Sequence, residues 1–261
     1  MITEVFDRLV DQAWPALDRV ESGGWTFRTA GGVSKRANSV LPLGERADLE
    51  AAVAGAERFY AGRGLPCVFS VGGGASPGLD ALLEARGYRV VDPTLVMTMP
   101  LAQAVPGGPY PCTGEGAGGA GGHGGGRPPG PEVRLAQAPA CDWLDVWWSV
   151  DGRPGGDVET AGRILTGVPA VYASLTGAGG EEAVGRGVVQ GEWFGVYCMA
   201  TLPHARRRGH AGRLLNALLS HGREQGAEQA YLLVVEANTG ARSLYERLGF
   251  TVAGRYHYRA R

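Results

Sequence analysis

The chain has 261 residues, 44% hydrophobic and 20% charged, with 25 basic and 26 acidic side chains and a formal net charge of -1. That length suffices for one large domain or two small ones, each with its own core, and the charge balance speaks against a dedicated nucleic-acid binder, which concentrates positive charge. No basic-then-apolar segment opens the chain and no apolar run approaches a membrane span, so a cytoplasmic protein without a membrane partner is expected.

From the start of the chain, "EVFDRLVDQAWPALDRV" has the spacing of an amphipathic helix, and "GGWTFRTAGGVSKRANSVLPLG" suits two short strands around a Gly-Gly turn. A helix is predicted over "RADLEAAVAGAERFYAGRG", from Ala47–Asp48 to Gly62–Gly64, followed by a strand at "PCVFSV". The glycine-rich "VGGGASPG" (71–78) carries no cation and reads as a turn. A helix over "GLDALLEARGY" and a strand pair around "RVVDPTLVMTMPL" complete the first half.

The tract "PGGPYPCTGEGAGGAGGHGGGRPPGP" (106–131) is built of Gly and Pro, cannot bury a core and reads as a linker, with His123 solvated. It divides the chain into 1–105, 106–131 and 132–261. Beyond it come a strand at "EVRLAQA", helices at "CDWLDVWWSV" and "GDVETAGRILTG", and strands at "AVYASL", "EAVGRGVVQ" and "WFGVYCMATL". The next helix carries Leu214, Leu215, Leu218 and Leu219 on one face; "AYLLVV" reads as a buried strand, "TGARSLYERLG" as a short helix, and "FTVAGRYHYRAR" as a final strand pair. The units "GLDALLEARGYRVV" and "SLYERLGFTVAG" look alike, which leaves two organisations open: a tandem repeat, or one continuous mixed fold with an insertion.

Chemistry concentrates in "PHARRRGHAGRLLNALL" (203–219), where a strand, a glycine-containing turn and a helix start follow one another. The first N–H groups of a helix have no internal partner, and the helix dipole adds positive potential there, so this is physically an anion site. Arg206, Arg207 and Arg208 add charge, while Gly209 and Ala211 leave room for close approach. No Gly-Lys-Ser/Thr follows, so it is not a Walker loop, and the dinucleotide G-x-G-x-x-G is absent too.

With R-x-x-G-x-A at 206–211 and a gapless N-x-x-A-x-x-L-Y-x-x-x-G-F at 238–250, the chain resembles the GNAT superfamily of N-acetyltransferases. The resemblance covers residue 183 to the C-terminus firmly and extends loosely back to residue 132. It implies a mixed α/β (α+β) fold, a central, mostly antiparallel sheet flanked by helices. The first half, lacking the loop, would be a degenerate GNAT-like copy, as in tandem acetyltransferases such as mycothiol synthase. It also implies acetyl-CoA as acyl donor, no metal, and a small-molecule or peptide amine as acceptor attacked directly in a ternary complex; an oligomer is compatible with all of this.

Carried over residue by residue, Arg206, Arg207, Arg208, Gly209, His210, Ala211 and Gly212 form the pyrophosphate loop, His210 through its backbone rather than its ring. Met199, Ala200 and Thr201 would pair with the pantetheine amides, Asn238 with the cofactor arm, and Tyr245 would point its hydroxyl at the sulfur. A phenol pKa near 10 exceeds a thiol pKa near 8.5, so Tyr245 is better described as a hydrogen-bond donor than as a full acid. Where related enzymes carry a glutamate base upstream of the Asn, this chain has Leu233; Glu192 and Glu236 are the nearest substitutes, with Asp151, Asp157 and Glu159 in the segment that would cover the acceptor. Trp147, Trp148, Trp193, Phe194 and Tyr197 are candidate pocket walls or plain core. His257 reads as a structural hydrogen-bonder and Cys198 as core rather than a nucleophile. Cys67, Cys112, Cys141 and Cys198 form no CxxC pair, which speaks against a zinc site or disulfide framework. A non-catalytic acyl-CoA-binding module is the competing function; nucleic-acid binding through the arginines is a third.

Overall fold

The computed structural model describes residues 2–104, 132–152, 156–177 and 179–261; the tract 106–131, with His123 and Cys112, lies outside the described residues. The first half builds α1 (Ile2–Ala13), β1 (Asp18–Ser22), β2 (Trp25–Thr29), β3 (Val40–Leu41), α2 (Leu49–Ala61), β4 (Val68–Val71), α3 (Leu79–Ala85) and β5 (Arg89–Pro100). The second builds β6 (Val133–Ala136), α4 (Cys141–Asp151), α5 (Val158–Leu165), β7 (Val171–Gly177), β8 (Gly180–Gln190), β9 (Trp193–Thr201), α6 (His210–Glu224), β10 (Gln229–Val235), α7 (Thr239–Arg247) and β11 (Thr251–Ala260).

All eleven strands lie in one sheet, in the order β1-β2-β3-β4-β11-β5-β10-β9-β8-β7-β6. Only β3·β4 and β9·β10 are parallel; every other pair is antiparallel. The order contains a reciprocal exchange. The last strand of the first half, β5, pairs with β10 of the second, and the last strand of the second half, β11, pairs with β4 of the first. Each half thus has an antiparallel run, a parallel pair, and then the partner half's final strand.

Three expectations need correction. The opening helix stops at Ala13, because Pro15 cannot donate to the helix ladder and Asp18–Ser22 is drawn into the hairpin with β2. The region around "RVVDPTLVMTMPL" is one long strand rather than a pair. Its register against β11 slips by one residue between Val91 and Thr94, so Asp92 and Pro93 form a bulge, with Asp92 at φ +48. The C-terminal segment is likewise the single strand β11.

The helices form where caps and apolar stripes agree. Asp48 caps α2 by accepting from Ala51 N at 2.8 Å, and Asn238 caps α7 by accepting from Ala241 N at 3.1 Å. Leu214, Leu215, Leu218 and Leu219 of α6 are buried together with Phe194 and Leu232 on one face of the sheet. Removal of one such leucine side chain typically costs about 2–5 kcal/mol. On the other face α1, α4 and α5 share a core containing Phe6, Trp14, Trp143 and Ile164, so helices from both halves close over the same strands. Asp11 fastens α1 to β2: it accepts from Arg28 at 3.0 Å and from Arg19 at 2.8 Å. Burial would raise the Asp11 carboxyl, but the hydrogen bonds from Arg19 and the charge of Arg28 outweigh it and hold it below the ordinary value. Among the described residues no helix is long and apolar enough to cross a membrane.

Candidate active site

The strands β9 and β10 pair for only four residues, from Trp193↔Gln229 to Val196↔Leu232, and then part. A bulge drives the parting. Between Val184↔Ala200 and Tyr197↔Arg186, β9 carries one extra residue, and Cys198 takes φ +54, in the left-handed region. A cleft of about 480 Å³ opens there, a size suited to a small-molecule ligand.

Tyr197, Cys198 and Met199 of β9 face it across from Leu233 and Val235 of β10, and α7 contributes Ala241 and Tyr245, with Asn238 at its cap. Tyr245 is 7% exposed, and burial pushes its hydroxyl up to about 12. Its Oη makes no hydrogen bond among the described residues, so at neutral pH it presents a retained proton to the cleft. Burial also pushes the Cys198 thiol up to about 12, so it stays protonated and is a poor nucleophile.

At the end of β9 the chain turns through 202–209 into α6. Gly209 occupies the cap position at φ +82, with no side-chain cap and nothing within 4 Å of where a Cβ would stand. Arg207 is also left-handed, at φ +62. Arg206, Arg207 and Arg208 are exposed around the uncapped helix start, and Arg206 Nε donates to Thr201 O at 3.2 Å. The His210 ring turns inward, its Nε2 3.1 Å from Glu182 Oε2, which leaves its backbone at the helix start.

The structure therefore brings Met199, Arg206, Asn238 and Tyr245 to one cleft, with Ala200 and Thr201 continuing the same strand edge and Arg207, Arg208, Gly209, His210, Ala211 and Gly212 at its mouth. It does not bring the two glutamates. Glu192 is exposed in the turn at the opposite end of β9, where its carbonyl accepts from Glu228 N and Gln229 N. Glu236 points away, bonded to Arg255 Nε at 3.0 Å. Asp157 caps α5 through Glu159 N and Thr160 N, and exposed Glu159 sits in the same first turn. Of the acids expected to cover the acceptor, Asp151 does line the cleft.

The aromatic candidates divide in the same way. Trp147, Trp148 and Tyr197 are walls of the cleft, whereas Trp193 packs on Phe6 at 5.2 Å and Phe194 is fully buried under α6. His257 Nε2 lies 2.8 Å from Asp80 Oδ1, a structural bond as expected. The sequence pointed to the first half as a wall of the acceptor pocket but not to its residues: Trp14, Lys35, Arg36, Asp92 and Thr94, with Tyr256 and Tyr258 of β11, form the opposite wall. The signal available was "GGVSKRANS", where two adjacent cations sit in the turn between two short strands, and the Asp-Pro pair that makes the bulge in β5.

Comparison with known proteins fits this geometry. The family model described as "Probable histone acetyltransferase Rv0428c C-terminal" matches residues 7–259. An uncharacterized N-acetyltransferase of Bacillus subtilis, YobR, is 26% identical over 97% of this chain and 96% of its own length. Among solved structures, a GCN5-related N-acetyltransferase from Kribbella flavida superposes with a TM-score of 0.65 at 15% identity, covering 97% of this chain and 94% of the other. A tandem GNAT protein from the clavulanic acid biosynthesis pathway superposes with a TM-score of 0.61 at 14% identity, covering 98% and 86%. At these identities the structural likeness is one of fold.

Proposed function

The chain belongs to the acetyltransferase family whose model it matches, within the GNAT superfamily, and from that premise we propose that it transfers acetyl from acetyl-CoA to the amine of an acceptor held in the same cleft. One observation carries this reading: the uncapped α6 start at Gly209, ringed by arginines, lies at the open end of the β9/β10 cleft that Tyr245 lines.

The residues fit the donor. Gly209 leaves the first N–H groups of α6 accessible, and an anion placed there meets the positive end of the helix as well as Arg206, Arg207 and Arg208. The β10-facing edge of β9 beyond Val196 has no ladder partner, so Met199, Ala200 and Thr201 offer backbone groups to an extended amide chain. Asn238 closes the far side. When bound, acetyl-CoA supplies an acetyl group activated as a thioester.

Tyr245 donates a hydrogen bond from Oη toward the leaving sulfur. With its pKa raised to about 12 against about 8.5 for a thiol, complete proton transfer is uphill by roughly 5 kcal/mol. Its contribution is thus a bond that strengthens as negative charge develops. The amine's proton leaves toward Asp92 and Asp151, the carboxylates that line the cleft among the described residues. Asp92 is held in place by Lys35 Nζ at 2.9 Å. The second half (132–261) binds the donor and the first (1–105) supplies acceptor walls, joined through 106–131.

Two assays test the reading. Acetyl-CoA should raise the thermal transition of the full chain, and a screen of amines should release free CoA thiol. No stabilisation at saturating acetyl-CoA would remove the donor assignment; stabilisation without transfer to any amine would favour a non-catalytic acyl-CoA-binding module.

A further inference from the structure

Behind the aromatic wall of the cleft, the protein buries more hydrogen-bond donors than it satisfies. Arg186 of β8 is fully buried; its Nη1 donates to Ala13 O at 2.9 Å, but its Nε and Nη2 have no partner. Arg36, in the cleft wall, has a buried Nε that is likewise unpartnered. Both guanidinium groups lie against the same two rings, Trp14 at 5.3 and 5.9 Å and Tyr197 at 5.7 and 5.9 Å. Trp147, whose ring is 6.0 Å from Trp14, also buries its Nε1 without a partner.

Among the described residues neither arginine forms an ion pair; of the two cleft acids, Asp92 is engaged by Lys35 and Asp151 is not free either. Removing the Arg186 charge from water without a counter-ion is costly by several kcal/mol, and contact with aromatic faces offsets only part of it, while Arg36 lies half-buried in front. The unsatisfied groups are all N–H donors, and those of the guanidinium groups carry positive charge, so an anion rich in acceptors completes them best. Arg36 is half-buried in the cleft wall, so such an anion reaches its guanidinium from the acceptor side, with Arg186 adding charge behind the wall.

We propose that the acceptor carries a carboxylate, received by the guanidinium of Arg36 in the cleft wall, so that the substrate class is a small amine bearing a carboxylate, of amino-acid type, rather than a lysine-rich peptide. The inference rests on the acetyltransferase reading of the same cleft and deepens it. A cationic side chain placed at this wall would meet Arg36, with Arg186 behind it, as like charges.

Binding to the full chain, read by quenching of the tryptophans that line the cleft, tests this with L-phenylalanine and L-leucine against their carboxamides. The free acids should bind at least about tenfold more tightly than the amides. Arg36→Gln should erase that difference while leaving stabilisation by acetyl-CoA unchanged. Equal binding of acid and amide, binding of neither, or preference for a lysine-rich peptide would overturn the proposal, as would an Arg36→Gln that weakens acetyl-CoA instead. Failure of acetyl-CoA to stabilise the wild-type chain would sink the acetyltransferase reading and leave the carboxylate preference separately measurable.

Discussion

The two parallel strand pairs of this sheet occupy matching places in its order, yet one is open and the other shut. Beyond β9 and β10 lies a cleft of about 480 Å³, whereas the space beside β3 and β4, lined by Leu41, Ser70 and Gly73, is about 20 Å³, enough for one water. In the first half the glycine turn 72–76 crosses the gap: Gly44 N donates to Gly74 O at 3.1 Å, and Leu43 bridges Ala75. Asp7 of α1 holds that turn by accepting from Gly74 N at 2.8 Å, and a Cβ at Gly72 would lie 2.1 Å from its Oδ1. The helix starts differ in the same sense. The α2 start is capped by the Asp48 carboxylate, and its neighbour Arg46 is bonded to Gly23 O, whereas α6 begins at a bare glycine among three exposed arginines. An anion site can thus be silenced by a capping acid and a crossing loop while the surrounding fold is kept.

Substitutions can break this contrast, and the largest effect is expected where the closed half is copied onto the open one. Gly209→Asp puts a carboxylate at the α6 start, as Asp48 does at α2, and so places negative charge where a pyrophosphate would sit, with added backbone strain from the φ of +82. Acetyl-CoA affinity should fall at least about a hundredfold, roughly 3 kcal/mol, as read by calorimetry. Unaltered affinity would mean that the helix start is not the donor site. Next comes Tyr245→Phe, which should lower kcat about tenfold to a hundredfold with little change in KM for acetyl-CoA. An unchanged kcat would take Tyr245 out of the reaction.

The closed half carries a pH signature. Burial raises the Asp7 carboxyl to about 6, against the hydrogen bond from Gly74 and the charge of Arg28. The folded chain therefore binds this proton more tightly than the unfolded chain. The stabilisation is fully present below about pH 4 and is lost as pH rises through about 6. Asp7→Asn should flatten that slope and make the protein about 1–2 kcal/mol more stable at pH 7, measured by denaturant titration across this range. A slope that survives the substitution would assign it elsewhere. The smallest expected effect is Asp48→Ala, about 1 kcal/mol of lost stability from the missing cap, with acetyl-CoA binding untouched.

The elements of the proposed donor side were legible in the sequence because they depend on local order: strand, glycine turn and helix within 193–224, then an Asn cap and a Tyr on the next helix. The β9 and α6 boundaries, the Asp48 cap and the turn character of 71–78 follow from the same local chemistry. The proposed acceptor side was legible as a region, the Trp-rich helix and the first half, but not by residue, because β11 and β5 exchange between halves and carry Tyr256, Tyr258 and Asp92 to a cleft built mainly by other elements. Nothing within the window around Arg36 announces that its partners are Trp14 and Tyr197. Glu192 and Glu236 were drawn by nearness in sequence to the motifs, whereas strand direction sends one to the wrong end of β9 and an ion pair turns the other outward. Single strands replaced the expected pairs at β5 and β11 because bulges absorb the breaks that Asp92-Pro93 and the glycine of "TVAGRY" suggest.

Titration calorimetry of acetyl-CoA into the full chain tests the difference between the halves most directly. One binding event per chain, abolished by Gly209→Asp and indifferent to Asp48→Ala, is the expected result. Two events per chain, or one that survives Gly209→Asp, would contradict the assignment of an open donor site to the second half and a closed one to the first.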